Sequence, residues 1–171
     1  MLVAKKLTPQ DFFPYGTYSP PGVPETEPVA GDEEGLIRFW DDYDGTINLG
    51  HKANNQIAKG VCVTKYRPLF ITTMERHLFT EESILPDGDV YLALHRPTAG
   101  SGLPIDDDYE VFLVPRGYEI KLKAGVWHHA PHNKTEGAIV LSKIILPPGT
   151  YNTDCQCFKF GLPIPFSPPQ E

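Results

Sequence analysis

Lys123-Ala-Gly-Val-Trp-His-His-Ala-Pro-His132 sets three of the chain's six histidines within five positions, behind a glycine and a tryptophan. Imidazole is the commonest protein metal ligand and the one side chain that titrates unperturbed near neutrality, so this crowding marks a functional site rather than a packing solution. Outward from it the pattern is one of short strands. Runs rich in Val, Ile, Tyr and Phe occupy residues 61–66, 69–77, 90–95, 109–115, 118–122, 127–130, 138–146 and 155–160. Turn signals such as Pro86-Asp-Gly-Asp89, Pro115-Arg-Gly117 and Pro147-Pro-Gly149 separate most of them. Eighteen prolines and fifteen glycines agree with frequent turns, and the pattern predicts an all-β barrel or sandwich.

The 171 residues fit a single domain spanning 1–171. A chain of roughly 150 residues buries about 68–70% of its unfolded surface, so neither a disulfide nor a structural metal is needed for folding. Near the start, Thr8 as cap, Pro9 in the first helical position and Asp11 in the first turn predict a short helix that closes one end of the barrel. Residues 19–35, rich in Pro and acids, are expected to form a long surface loop. The tail, 161–171, is expected to be extended and to lie across another surface, such as a second subunit.

A formal charge of −7 and a pI near 5.3, without a basic patch, argue against a nucleic-acid partner. No apolar run approaches the roughly 20 residues of a membrane span, and the first residues lack a signal-peptide pattern, so a cytoplasmic protein is expected. Cys62, Cys155 and Cys157 are read as reduced thiols, with redox or metal use as the alternative.

In Thr73-Met-Glu75-Arg76-His77, alternate residues of a strand share a face, so Glu75 and His77 converge while Arg76 points away as a scaffold or interface cation. Glu82 has the wrong parity for that face and joins it only if the chain turns over residues 78–81. His128 comes from the second segment; His129 faces the other way if that strand is regular, and His132 follows a bend at Pro131. The alternative for these side chains is a buried polar network without metal. Trp127 reads as core, Gly125 as a tight turn and His95 as structural. The Asp41-Asp-Tyr-Asp-Gly45 segment reads as a turn, lacking the full oxygen set of a calcium loop. Residues 36–40 read as a strand, while His51 and the Asp106-Asp-Asp108 run read as solvated.

Glu75-x-His77-x-x-x-x-Glu82 followed by Gly125-x-x-His128-x-x-x-His132 resembles the two motifs of the cupin superfamily, with Glu75 in place of the first His and His132 in place of a later Asn. Met74-Glu-Arg-His77, Gly125-Val-Trp-His-His129 and Phe12-Phe-Pro-Tyr-Gly16 are similar, more narrowly, to the ureidoglycolate lyase family, a cupin branch. The similarity runs in order from about Leu7 to Phe160. It departs at Glu82, where that family usually has Gln, at 122–124 and at Ala130.

The resemblance implies a double-stranded β-helix (jelly-roll barrel) with a divalent metal held by Glu75, His77, Glu82 and His128. Two imidazoles and two carboxylates suit Mn, Ni, Fe or Zn. It further implies cleavage of ureidoglycolate, or a similar small 2-hydroxy acid, to glyoxylate and urea in purine (allantoin) breakdown, by a homodimer. His129 and His132 are the candidate proton donors to the departing nitrogen. Another metallo-cupin enzyme, an oxygenase or sugar isomerase, and a non-catalytic small-acid or sugar-binding cupin are the alternatives.

Overall fold

Burial alternates along β-strands such as 119–122 and 139–143, whereas 90–95 is buried throughout. In a computed structural model, residues 1–21, 27, 30–31, 38–39, 56–96, 102–104 and 108–169 are described. The elements run β1 (Leu2–Val3), β2 (Lys5–Lys6), α1 (Pro9–Phe12), β3 (Gly16–Ser19), β4 (Ala30–Gly31), β5 (Arg38–Phe39), β6 (Ala58–Lys65), β7 (Phe70–His77) and β8 (Glu82–Pro86). They continue with β9 (Val90–His95), β10 (Tyr109–Val114), β11 (Glu119–Leu122), β12 (Trp127–His128), β13 (His132–Asn133), β14 (Ile139–Leu146), α2 (Thr150–Thr153) and β15 (Cys155–Ser167).

Two sheets carry the fold. One runs β1-β15-β7-β12-β9-β10-β2, with β13 also on β9, and the other runs β3-β11-β8-β14-β6. Val90, Leu92 and Leu94 on β9 pack with Phe112, Val114, Ile84, Ile120, Leu122 and Val140, drawn from both sheets. The intervening Tyr91 and Ala93 join a second cluster with Trp127, Met74, Ile71 and Phe166. Strand β9 is therefore buried on both faces, and the expected cupin jelly roll is the observed architecture.

Helix α1 forms as expected: Thr8 Oγ1 accepts the Asp11 N–H at 3.2 Å, and Pro9 needs no partner for a missing donor. Its fully buried Phe12 packs edge-on against Phe112, 5.2 Å between ring centres, plugging the interior cluster.

Three expectations change. Residues 82–86 form β8, hidden in sequence because two glutamates open the run. Strand pairing at 127–130 ends with His128, after which the His129 N–H bonds the Ala93 carbonyl instead. The tail is extended, but the surface it crosses is the protein's own: β15 continues through it, skips register between Lys159 and Ile164, and pairs Ile164 with Ile71 and Pro165 with Phe70. Its Phe166 is buried opposite Leu2 of β1, so residues up to 167 close the protein's own sheet. The strand expected over 36–40 is represented by β5, paired with β4. The turn at 41–45, His51, residues 105–107 and most of 19–35 lie outside the described residues.

Candidate metal centre

A row across three strands builds the site. Cys157 of β15, Glu75 of β7 and His128 of β12 are successive Cα partners, so their side chains stand abreast on one face. His77, two residues beyond Glu75, joins the same face as its spacing predicts. Gly125 brings His128 into position. With φ of 83° it occupies the left-handed region, and its N–H bonds the His77 carbonyl at 2.6 Å, tying the two histidine segments together. Trp127 turns to the opposite face, fully buried, with the Arg76 guanidinium 4.6 Å from its ring centre. Arg76 also bonds Gln156 at 3.0 Å and is thus part of the scaffold.

Glu82 reaches the site through a turn. Asp154, at the end of α2, accepts the N–H of Leu78 at 3.1 Å, that of Phe79 at 3.2 Å and the Thr80 hydroxyl at 2.9 Å. This reverses the chain between β7 and β8 and cancels the parity mismatch. Glu82 Oε2 then lies 3.0 Å from His128 Nε2 and 3.5 Å from His77 Nε2, while Glu75 Oε1 is 3.6 Å from His128 Nε2. One ligand atom each from Glu75, His77 and His128 falls within 4.8 Å of the others.

These atoms face one another without satisfying one another. Glu82 Oε2 and His128 Nε2 are buried with no well-directed hydrogen bond, despite the short separation. His128 Nδ1 faces the Val126 carbonyl at 3.1 Å, which accepts its N–H and so turns Nε2 toward the carboxylates. Burial disfavours a charged His128, yet Glu82 and Glu75 outweigh it and raise the imidazole to about 10. Burial likewise opposes ionised Glu82, and the neighbouring imidazoles of His128 and His77 overcome it, holding the carboxyl at about 2. Two carboxylates focused on two buried imidazoles make a field that favours a cation. A divalent ion would satisfy the orphaned atoms, so the donor set fits a metal.

The neighbouring histidines separate. His129 lines a cleft of about 270 Å³ with Thr73, Met74, Glu75, His128, Ala130 and Cys157, and its Nε2 has no hydrogen-bond partner. His132 is not brought to that cleft. It is fully buried, its Nε2 faces the Phe70 carbonyl at 3.1 Å and its Nδ1 faces Arg67 Nη2 at 3.4 Å. Burial and the Arg67 charge lower His129 to about 4 and His132 to about 3, so both rings are neutral near pH 7. His95 is buried against Tyr109, 4.9 Å between ring centres, as the structural reading expects. A cavity of about 760 Å³ beside α1, lined by Leu7, Phe12, Phe13 and Tyr18, holds none of this chemistry.

Sequence reasoning missed three participants. Asp154 had no local signal, because its partners lie more than seventy residues away. Cys155 and Cys157 did carry one, since alternate residues of a strand share a face; the partner across the ladder, Glu75, shows that the face is the site's.

Among the described residues no helix is long and apolar enough to cross a membrane. No curated protein matches the chain. The family model described as ureidoglycolate lyase matches residues 1–162, a span that takes in every residue of the site. With nearly the whole chain under one family model and a jelly-roll barrel to carry it, the protein belongs to the ureidoglycolate lyase family and is a lyase.

Proposed function

We propose that this lyase is metal-dependent and cleaves ureidoglycolate, or a closely similar small 2-hydroxy acid, to glyoxylate and urea. The observation that carries the reading is the grouping of Glu75, His77 and His128, with Glu82 Oε2 3.0 Å from His128 Nε2 and buried polar atoms left unsatisfied. Those four residues would hold the ion. When bound, it supplies Lewis acidity and a template for a carboxylate with an adjacent hydroxyl, matching a cleft that among the described residues is lined by no Lys or Arg.

The chain's own residues do the rest. Cleavage moves one proton, from the substrate hydroxyl to the departing nitrogen, as the carbon–nitrogen bond breaks and the carbonyl forms. His129 lines the cleft and is neutral near pH 7, and it is the residue assigned to carry that proton from the hydroxyl to the urea nitrogen. His132, with both nitrogens occupied, holds the wall behind it. Met74 and Ala130 narrow the cleft around a small substrate.

The deciding experiment measures glyoxylate release from ureidoglycolate by chelator-stripped protein before and after Mn, Ni, Fe or Zn is restored. Metal-dependent release is expected, and folded, metal-loaded protein that releases none would overturn the assignment. In His128→Ala both metal content and turnover should collapse.

A homodimer in the cytoplasm completes the proposal. Val61 and Val63 of β6 and Ile139 and Leu141 of β14 are 61%, 56%, 59% and 44% exposed, an apolar stripe suited to a second copy. The three free thiols agree with a reducing compartment.

A further inference from the structure

Glu75 faces two ways. Its Oε1 is directed at His128 Nε2, whereas Oε2 accepts from the Cys155 thiol at 3.5 Å. Cys155 and Cys157 lie on one face of β15, opposite His77 and Glu75 respectively, with their sulfurs 3.7 Å apart. That spacing is too long for a disulfide, and both cysteines are free. It does match another bond pattern. Two thiolates about 2.3 Å from a tetrahedral ion stand about 3.75 Å apart, and a thiolate and a carboxylate oxygen at about 2.0 Å stand about 3.5 Å apart.

Both observed separations meet these values, and Glu75, Cys155 and Cys157 bring one ligand atom each within 4.8 Å of the others. The third cysteine, Cys62, sits on β6 in the other sheet, paired with Ser142, and does not belong to this group.

We propose that Cys155, Cys157 and Glu75 form a second site for a thiophilic divalent cation of the zinc class, beside the histidine centre and sharing Glu75 with it. Each thiol gives its proton to solvent as its sulfur binds, and the carboxylate, already ionised, contributes through Oε2. Cys157 is exposed and lines the cleft, so the group is open to solvent. An ion there takes up one oxygen of Glu75 while the other remains turned to His128. Thiolate ligands select softer ions than the mixed nitrogen–oxygen set next to them, so the two sites differ in the metals they retain. The inference goes beyond the lyase reaction and does not depend on the substrate being ureidoglycolate.

The test titrates the whole protein, kept reduced by a non-thiol reductant, with Co²⁺ and follows thiolate-to-cobalt charge-transfer absorption. A band that saturates at one thiolate-bound ion per chain is expected. Zinc should displace it, Cys155→Ser with Cys157→Ser should abolish it, and Cys62→Ser should keep it. His128→Ala should also keep the band while losing the histidine-bound ion, which separates failure of this site from failure of the lyase centre. Wild-type protein without the band, or a band that survives the double cysteine substitution, would overturn the proposal.

Discussion

His132 shows how far a single residue can be judged from its neighbours in sequence. Its place in a histidine cluster suggested chemistry, but only the fold shows Arg67 and the Phe70 carbonyl on its two nitrogens. The ring's pKa is held at about 3, against about 6.5 in an unfolded chain. Between those values the unfolded state binds a proton that the folded state refuses. Stability from this group is therefore complete above about pH 6.5 and is lost progressively as pH falls toward 3. Denaturant midpoints of the wild type should fall from pH 7 to pH 5. His132→Gln, which keeps a donor but cannot titrate, should be less stable at pH 7 and show a shallower fall; equal slopes would remove His132 from the account. By contrast, Glu75 and His77 were legible at once, because their spacing needs nothing beyond the two-residue period of a strand.

Between β7 and β8 the controlling element is a turn rather than a strand. Parity alone excluded Glu82 from the face of His77, and the reversal that admits it rests on the Asp154 carboxylate. Asp154→Ala removes the carboxylate that accepts from the Leu78 and Phe79 N–H groups and from the buried Thr80 hydroxyl. Bonds to a charged acceptor contribute about 1.5–3 kcal/mol each, so a loss of at least about 3 kcal/mol is expected in chemical denaturation. Metal retention should weaken as well, since Glu82 begins where this turn ends. At the other end of β15, sequence suggested an extended tail but not its partner, because an extended segment's register is set by what it meets. Phe166 is 4% exposed and packs on Tyr91 and His132. Phe166→Ala should therefore cost about 3–5 kcal/mol, the range for a buried aromatic, where a free tail would register almost nothing.

Across the whole molecule, what could be read in advance was whatever repeats locally: strand alternation, turn chemistry, the helix cap and the two motif segments. What could not be read was which strand ends beside which. The site draws on β7, β8, β12 and β15, and the last was placed at the centre only by its ladder with β7. The proposed dimer belongs to this scale too. Sedimentation should give twice the chain mass, and Val63→Glu, charging the middle of the exposed stripe, should shift the protein toward monomer.

The pairing of Leu2 with Phe166 has a consequence in time. It joins segments separated by almost the full length of the chain, and the β7–β15 ladder spans nearly half of it. Chain closure over such distances costs entropy before any contact returns it, and proteins dominated by such pairings fold in about milliseconds to seconds rather than microseconds. The histidine pair and its turn lie inside the slow part of that process. Stopped-flow refolding of Trp40→Phe, which leaves Trp127 as the one tryptophan, followed by its emission, should thus show the site assembling on the slow timescale, with the unfinished barrel exposing β7 as an unpaired edge until the final strand arrives.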